Sequence, residues 1–136
     1  DLYSNSLINY KILSNHIQKQ YKKLSNFVLL ALATGSEHMF SNNDMRFYYD
    51  TIYGVYYPIY YDAEPKLDYN KLALPKNISN YFDIDKEELK KKISKLNVIE
   101  LNNKLNLFGL KENENKTEER LDRIYKNLDK IITKDI

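Results

Sequence analysis

The chain has 136 residues, of which 43% are hydrophobic and 29% charged, and these proportions indicate one folded domain rather than a disordered segment. Its formal net charge of +2 lacks the strong basic excess that is typical of nucleic-acid binders, and the absence of cysteine excludes disulfides, thiol nucleophiles and cysteine-ligated metal sites. The longest apolar run, residues 27–33, is much shorter than the roughly 20 residues that cross a bilayer, so we expect no membrane span.

The first part of the chain is predicted to be helical. Its apolar residues recur at steps of three and four, which is the helical period, up to an all-apolar run after Ser25-Asn26. The pattern fits one long helix or two, and because Ser25 can act as an N-cap we favour a break there, followed by a second helix that forms the buried centre of the fold. Gly35 is predicted to end this helix, since glycine readily adopts positive φ.

A tyrosine-rich segment comes next and predicts a β-hairpin. Residues 46–50 and 55–61 are rich in aromatic and β-branched side chains, with residues 51–54 as the loop between them. Pro58 cannot donate a backbone hydrogen bond, which indicates an edge strand or a bulge.

The loop length also predicts the register of the hairpin. If Asp50 faces Val55, the numbers of paired residues sum to 105. The same sum sets Asn43 opposite Asp62, and facing residues in an antiparallel pair have Cα atoms roughly 4.5–5.5 Å apart. These two side chains are therefore predicted to be able to share one ligand.

The remainder of the chain is predicted to contain one long loop and three helices. Residues 65–83 carry two prolines and no clear period, and they are predicted to cover the hairpin. The predicted helices begin after a capping box at Asp85, span about 98–108 before Gly109, and span Thr117 to about Thr133 after a charged linker.

Polar residues on both sides of the hairpin are the candidate site residues. Asn43, Asp62 and Glu64 offer an amide and two carboxylates, which are oxygen ligands of the kind that Mg²⁺ prefers. The alternative is that Asn43 and Asp62 only terminate the two strands, as Asn and Asp often do. His38 could transfer protons or orient its loop, and the alternative is a structural histidine.

An apolar helix is followed by the loop Gly35-Ser36-Glu37-His38, by Asn42-Asn43, by Arg46-Phe-Tyr-Tyr-Asp and by Pro58-Ile-Tyr-Tyr-Asp-Ala-Glu. In this order the stretch resembles the catalytic centre of CotH-type proteins, a family of atypical kinases. HipA-like and lipid-kinase-like folds share the coarser order of His, Asn, hairpin and Asp. The resemblance implies Mg²⁺ or Mn²⁺ with ATP as cofactors, held in part by Asn43 (or Asn42) and Asp62.

The resemblance also implies roles for the neighbouring residues. Glu64 stands where the family often has a second acidic residue, and His38 matches its loop histidine. The sequence departs from the pattern at Ser36, where the family has its catalytic-loop acid, so Glu37 becomes the candidate base.

We therefore expect a mainly α fold with one β-hairpin (α+β): a C-lobe-like helical bundle packed around a central apolar helix and the tyrosine-rich hairpin, in a single domain of residues 1–136. The expected function is that of a fragment of a CotH-type, ATP- and metal-dependent phosphotransferase, inactive without an N-terminal lobe. The alternative is a non-catalytic helical interaction module that binds a protein partner, or its own copy, through the hairpin. The charge balance does not favour nucleic acid as a partner.

Overall fold

The computed structural model describes residues 18–41, 43–67 and 85–131. Within these ranges the chain is mainly helical with one two-stranded antiparallel sheet, which confirms the expected α+β class. The elements are α1 (Gln18–Ala33), a 3₁₀ helix (Glu37–Phe40), β1 (Arg46–Asp50), β2 (Val55–Ile59), α2 (Lys86–Ile93), α3 (Val98–Leu107) and α4 (Glu114–Lys130). The helical pattern predicted before residue 18 and most of the predicted loop of residues 65–83 lie outside the described residues.

Helix α1 forms the buried centre of the fold, as predicted. Its apolar face supplies a large part of the core, and Leu29 and Ala33 are completely buried. The predicted break near Ser25 is wrong, because α1 continues through this residue. Leu24 and Val28, four residues apart, are both buried, and the burial of one continuous helical face outweighs the small helix penalty of a serine.

The C-terminal end of α1 is a Schellman motif. The amide of Ser36 donates to the carbonyl of Ala31 over 2.8 Å, and the amide of Gly35 donates to Leu32 over 3.0 Å. Gly35 has a φ of 70°, which confirms it as the residue that ends the helix. The motif turns the chain directly into the 3₁₀ helix.

The hairpin has the predicted register. The ladder runs from the pair Arg46 and Ile59 to the pair Asp50 and Val55, so β2 ends two residues earlier than predicted. The side chain of Asp50 closes the loop, since its Oδ1 accepts hydrogen bonds from the amides of Ile52 and Tyr53. The inner face packs on the helical core through Phe47, whereas most of the other strand residues are exposed.

The last three helices begin at side-chain caps. Asp85, Asn97 and Asn113 each accept a hydrogen bond from the amide three residues later. Because Asn113 is the cap, α4 begins at Glu114, three residues before the predicted start. Leu128 is completely buried in the core around α1. Among the described residues, no helix combines the length and the apolar composition that crossing a membrane requires.

Candidate metal site at the base of the hairpin

The 3₁₀ helix and the chain that follows β2 bring three potential metal ligands together. One ligand atom from each of His38, Asp62 and Glu64 lies within 4.8 Å of the other two. The Nε2 atom of His38 is 4.0 Å from Oδ2 of Asp62, and it is 3.5 Å from Oδ2 of Asp44. A histidine and three carboxylates thus meet at the base of the hairpin.

An ion pair between a buried carboxylate and a partly exposed lysine joins the two segments that carry the cluster. Lys66 Nζ donates to Glu37 Oε1 over 2.5 Å, and the Glu37 side chain is only 4% exposed. The amide of Lys66 also donates to the carbonyl of Thr34 over 2.9 Å. An ion pair and a backbone hydrogen bond therefore connect the residues after β2 to the end of α1 and the 3₁₀ helix.

A chain of hydroxyl groups makes a second connection between the same segments. The hydroxyl of Tyr60 lies 2.6 Å from Ser36 Oγ, which in turn lies 2.8 Å from Thr34 Oγ1. Thr34 donates onward to the carbonyl of Ala31 over 2.9 Å. Ser36 is completely buried, and its hydroxyl links those of Tyr60 and Thr34.

The backbone at the acidic residues is unusual. Asp62 has a φ of 43° and Glu64 a φ of 44°, and residues other than glycine rarely adopt such values. Each costs of the order of 1–3 kcal/mol and persists only where the surroundings enforce it. Ala63 between them is buried in the core, so the two carboxylates project from a chain that is fixed on both sides.

The structure separates the predicted site residues into three groups. His38, Asp62 and Glu64 lie in the cluster, whereas Glu37 next to His38 is buried and paired with Lys66. Asn43 is exposed in a turn, and its carbonyl accepts a hydrogen bond from Arg46 over 2.7 Å.

The predicted pairing of Asn43 with Asp62 lies beyond the described ladder. The ladder ends at Arg46 and Ile59, and Asp62 is not extended, so the numerical register cannot be continued that far. The part played by Asn43 as a metal ligand stays a prediction.

Asp44 is the neighbour that the sequence analysis missed. Its carboxylate accepts a hydrogen bond from the hydroxyl of Ser41, and it faces the imidazole of His38. The spacing of Ser41 and Asp44, three residues apart in a turn, is a sequence signal that could have identified it.

The cluster is open to solvent and chemically mixed. The side chains of His38 and Asp62 are 43% and 50% exposed, so a bound ion would retain positions for water or for phosphate oxygens. Carboxylates suit Mg²⁺, Ca²⁺ and Mn²⁺, whereas imidazole suits transition metals. The combined donor set therefore fits Mn²⁺ better than Mg²⁺.

No protein-family model matches the chain, and no match is found among curated proteins or among solved structures.

Proposed function

We propose that the cluster of His38, Asp62 and Glu64 binds a divalent cation, with Mn²⁺ preferred to Mg²⁺, and that the chain is the C-lobe-like part of a CotH-type phosphotransferase. The observation that carries the proposal is the convergence of the three ligand atoms within 4.8 Å. It supports the metal site directly and supports the phosphotransferase only through the resemblance.

Electrostatics favours a cation at this position. Carboxylate oxygens of Asp62 and Glu64 lie within 4.8 Å of each other, and like charges at this range repel one another. A divalent ion would offset that repulsion and would use the oxygens as ligands. Asp44 faces the same Nε2 atom of His38, so its carboxylate would lie beside a bound ion and could serve as a further oxygen ligand.

In a phosphotransferase, such an ion would neutralise charge on the nucleotide phosphates. The residues of this chain would hold and orient it: Asp62 and Glu64 by their carboxylates, and His38 by Nε2. Glu37 would contribute as a positioning residue through Lys66, rather than as a base. We propose that a separate lobe supplies the cationic side chain that contacts ATP, so that this chain alone is inactive.

Calorimetric titration tests the site. Wild-type protein should bind Mn²⁺ with a saturable heat and bind Mg²⁺ more weakly, and Asp62→Ala should lower the Mn²⁺ affinity about tenfold or more. Glu118→Gln is the matched control, since it removes an exposed carboxylate of α4, and it should bind as the wild type does. Equal heats for wild type and Asp62→Ala, or no heat for either, would disprove the metal site.

Adding ATP separates the two parts of the proposal. If the chain contributes to a nucleotide site, ATP should increase the apparent affinity of the wild type for Mn²⁺ beyond the binding of Mn²⁺ to ATP itself. If Mn²⁺ binds in an Asp62-dependent manner and ATP changes nothing, the metal site stands and the assignment to a phosphotransferase fails.

A further inference from the structure

The hairpin carries an exposed aromatic surface that the metal site does not use. The register places alternate side chains on the side facing away from the core, and we define the outer face as Arg46, Tyr48, Asp50, Tyr57, Ile59 and Tyr61. Its three tyrosines and Ile59 are between 36% and 60% exposed.

Contacts within the outer face order its side chains. The rings of Tyr48 and Tyr57 are stacked across the strands with centroids 6.5 Å apart, and the guanidinium of Arg46 lies 5.0 Å from the ring centre of Tyr61. Two of the three rings are thus stacked on each other, and the third lies against the guanidinium of Arg46.

We propose that the outer face is the interface of a homodimer, in which a second copy of the chain packs its own outer face against it about a two-fold axis near Tyr48. The proposal is independent of the metal site. Two properties of the outer face favour a second copy as its partner: its exposed area and the arrangement of its charges.

The available area matches what a dimer requires. A whole aromatic side chain buries about 150–250 Å². The apolar side chains of the outer face therefore offer on the order of 350 Å² per copy, and Ile52, 85% exposed, and Tyr53, 73% exposed, at the adjoining tip raise this area to on the order of 700 Å². A standard interface takes about 800 Å² from each partner. An apolar surface of this size is more than a monomer usually leaves in water.

The charges on the outer face are complementary to themselves. Residues 51–61 contain no charged side chain, and Arg46 and Asp50 lie two positions on either side of Tyr48 along β1. A two-fold axis at Tyr48 therefore sets Arg46 of each copy against Asp50 of the other, as an isologous interface requires. Both turn hydrogen bonds of Asp50 go to Oδ1, so Oδ2 can face the guanidinium of the second copy.

The same charges argue against a nucleic acid as the occupant. Stacking of bases on tyrosines is effective only where cations along the surface hold the phosphates. The outer face carries one arginine and one aspartate, and their opposite charges leave it with no net positive charge. A labelled oligonucleotide that bound to the outer face at physiological salt and dissociated the dimer would contradict the proposal.

Sedimentation equilibrium over a concentration series tests the dimer, with a chelator present so that metal binding plays no part. Wild-type protein should show a reversible monomer–dimer equilibrium, and Tyr48→Ser should raise the dissociation constant at least tenfold. Tyr49→Ser is the matched control, since Tyr49 lies on the same strand, is 47% exposed and points to the opposite face. It should leave the dissociation constant within about threefold of the wild type.

A charge series tests the two-fold register. Arg46→Glu should weaken the dimer by setting two carboxylates against each other, and adding Asp50→Asn should recover part of the loss, because asparagine keeps the Oδ1 acceptor that closes the turn. Circular dichroism confirms the fold of each variant. A monomer at every concentration, a dimer insensitive to Tyr48→Ser, or equal losses in Tyr48→Ser and Tyr49→Ser would overturn the proposal.

Discussion

At the scale of single residues, two neighbours in the 3₁₀ helix have opposite environments. Glu37 is buried and paired with Lys66, whereas His38 is half exposed and faces Asp44 and Asp62. His38 was a candidate because an imidazole follows the predicted buried helix in a loop, whereas Glu37 became one only through the family resemblance. Glu37 is paired with Lys66, which lies 29 residues further along the chain, and no local sequence pattern reveals such a partner.

The unequal burial of Glu37 and Lys66 predicts an asymmetric loss of stability. Lys66→Met should lower the free energy of unfolding by about 2–3 kcal/mol, because it leaves the Glu37 carboxylate buried without this partner. Glu37→Gln should cost only about 1 kcal/mol, because Lys66 is 40% exposed and water can solvate its ammonium. Urea unfolding followed by circular dichroism measures both values.

Lys104→Met is the control for this comparison. It breaks an exposed pair with Glu100 within one helix and should cost no more than about 0.5 kcal/mol. If Lys66→Met costs as little as Lys104→Met, the pair does not hold the site in place.

At the scale of elements, the sequence predicted those features that are decided by neighbouring residues. Asp85 and Gly109 marked helix ends correctly, and the four-residue loop gave the hairpin register. The prediction was wrong at Ser25, because a local cap signal competed with the burial of a whole helical face. It also placed the start of α4 late, because the cap at Asn113 was overlooked.

The contact between α2 and α4 predicts a dependence of stability on pH. Lys90 Nζ donates to Asp129 Oδ1 over 2.6 Å, and this hydrogen bond lowers the pKa of Asp129 and raises the pKa of Lys90. Asp129 therefore contributes stability above its unfolded pKa of about 3.9 and loses that contribution as pH falls through its lower folded pKa. The stability that Lys90 contributes is fully present below its unfolded pKa of about 10.4, and it is lost as pH rises through the higher folded pKa.

Thermal unfolding of Asp129→Asn across pH measures this contribution. The variant should melt below the wild type by a nearly constant amount from about pH 5 to 9, and the difference should shrink below about pH 4. Asp122→Asn, which removes an exposed pair with Lys126 inside α4, should show a smaller difference throughout. A difference for Asp129→Asn that persists unchanged at pH 2 would contradict the assigned cause.

At the scale of the whole molecule, the described residues form a helical body and a hairpin that rests on it by one face. The core around α1 explains why the hydrophobic pattern was sufficient to predict the fold class. The cluster lies where the two parts meet, and its geometry depends on positive φ values at Asp62 and Glu64 and on the links to Thr34. Composition and spacing could therefore indicate the site residues, but not which of them converge.

Proton NMR of the two histidines tests the central claim, that His38 and Asp62 share a bound cation. The chain contains only His16 and His38, and a His38→Gln variant assigns their imidazole signals. Substoichiometric Mn²⁺ should broaden the ring protons of His38, and Asp62→Asn should require about tenfold more Mn²⁺ for the same broadening. Sharp His38 signals at stoichiometric Mn²⁺, or equal broadening in wild type and Asp62→Asn, would contradict the metal site.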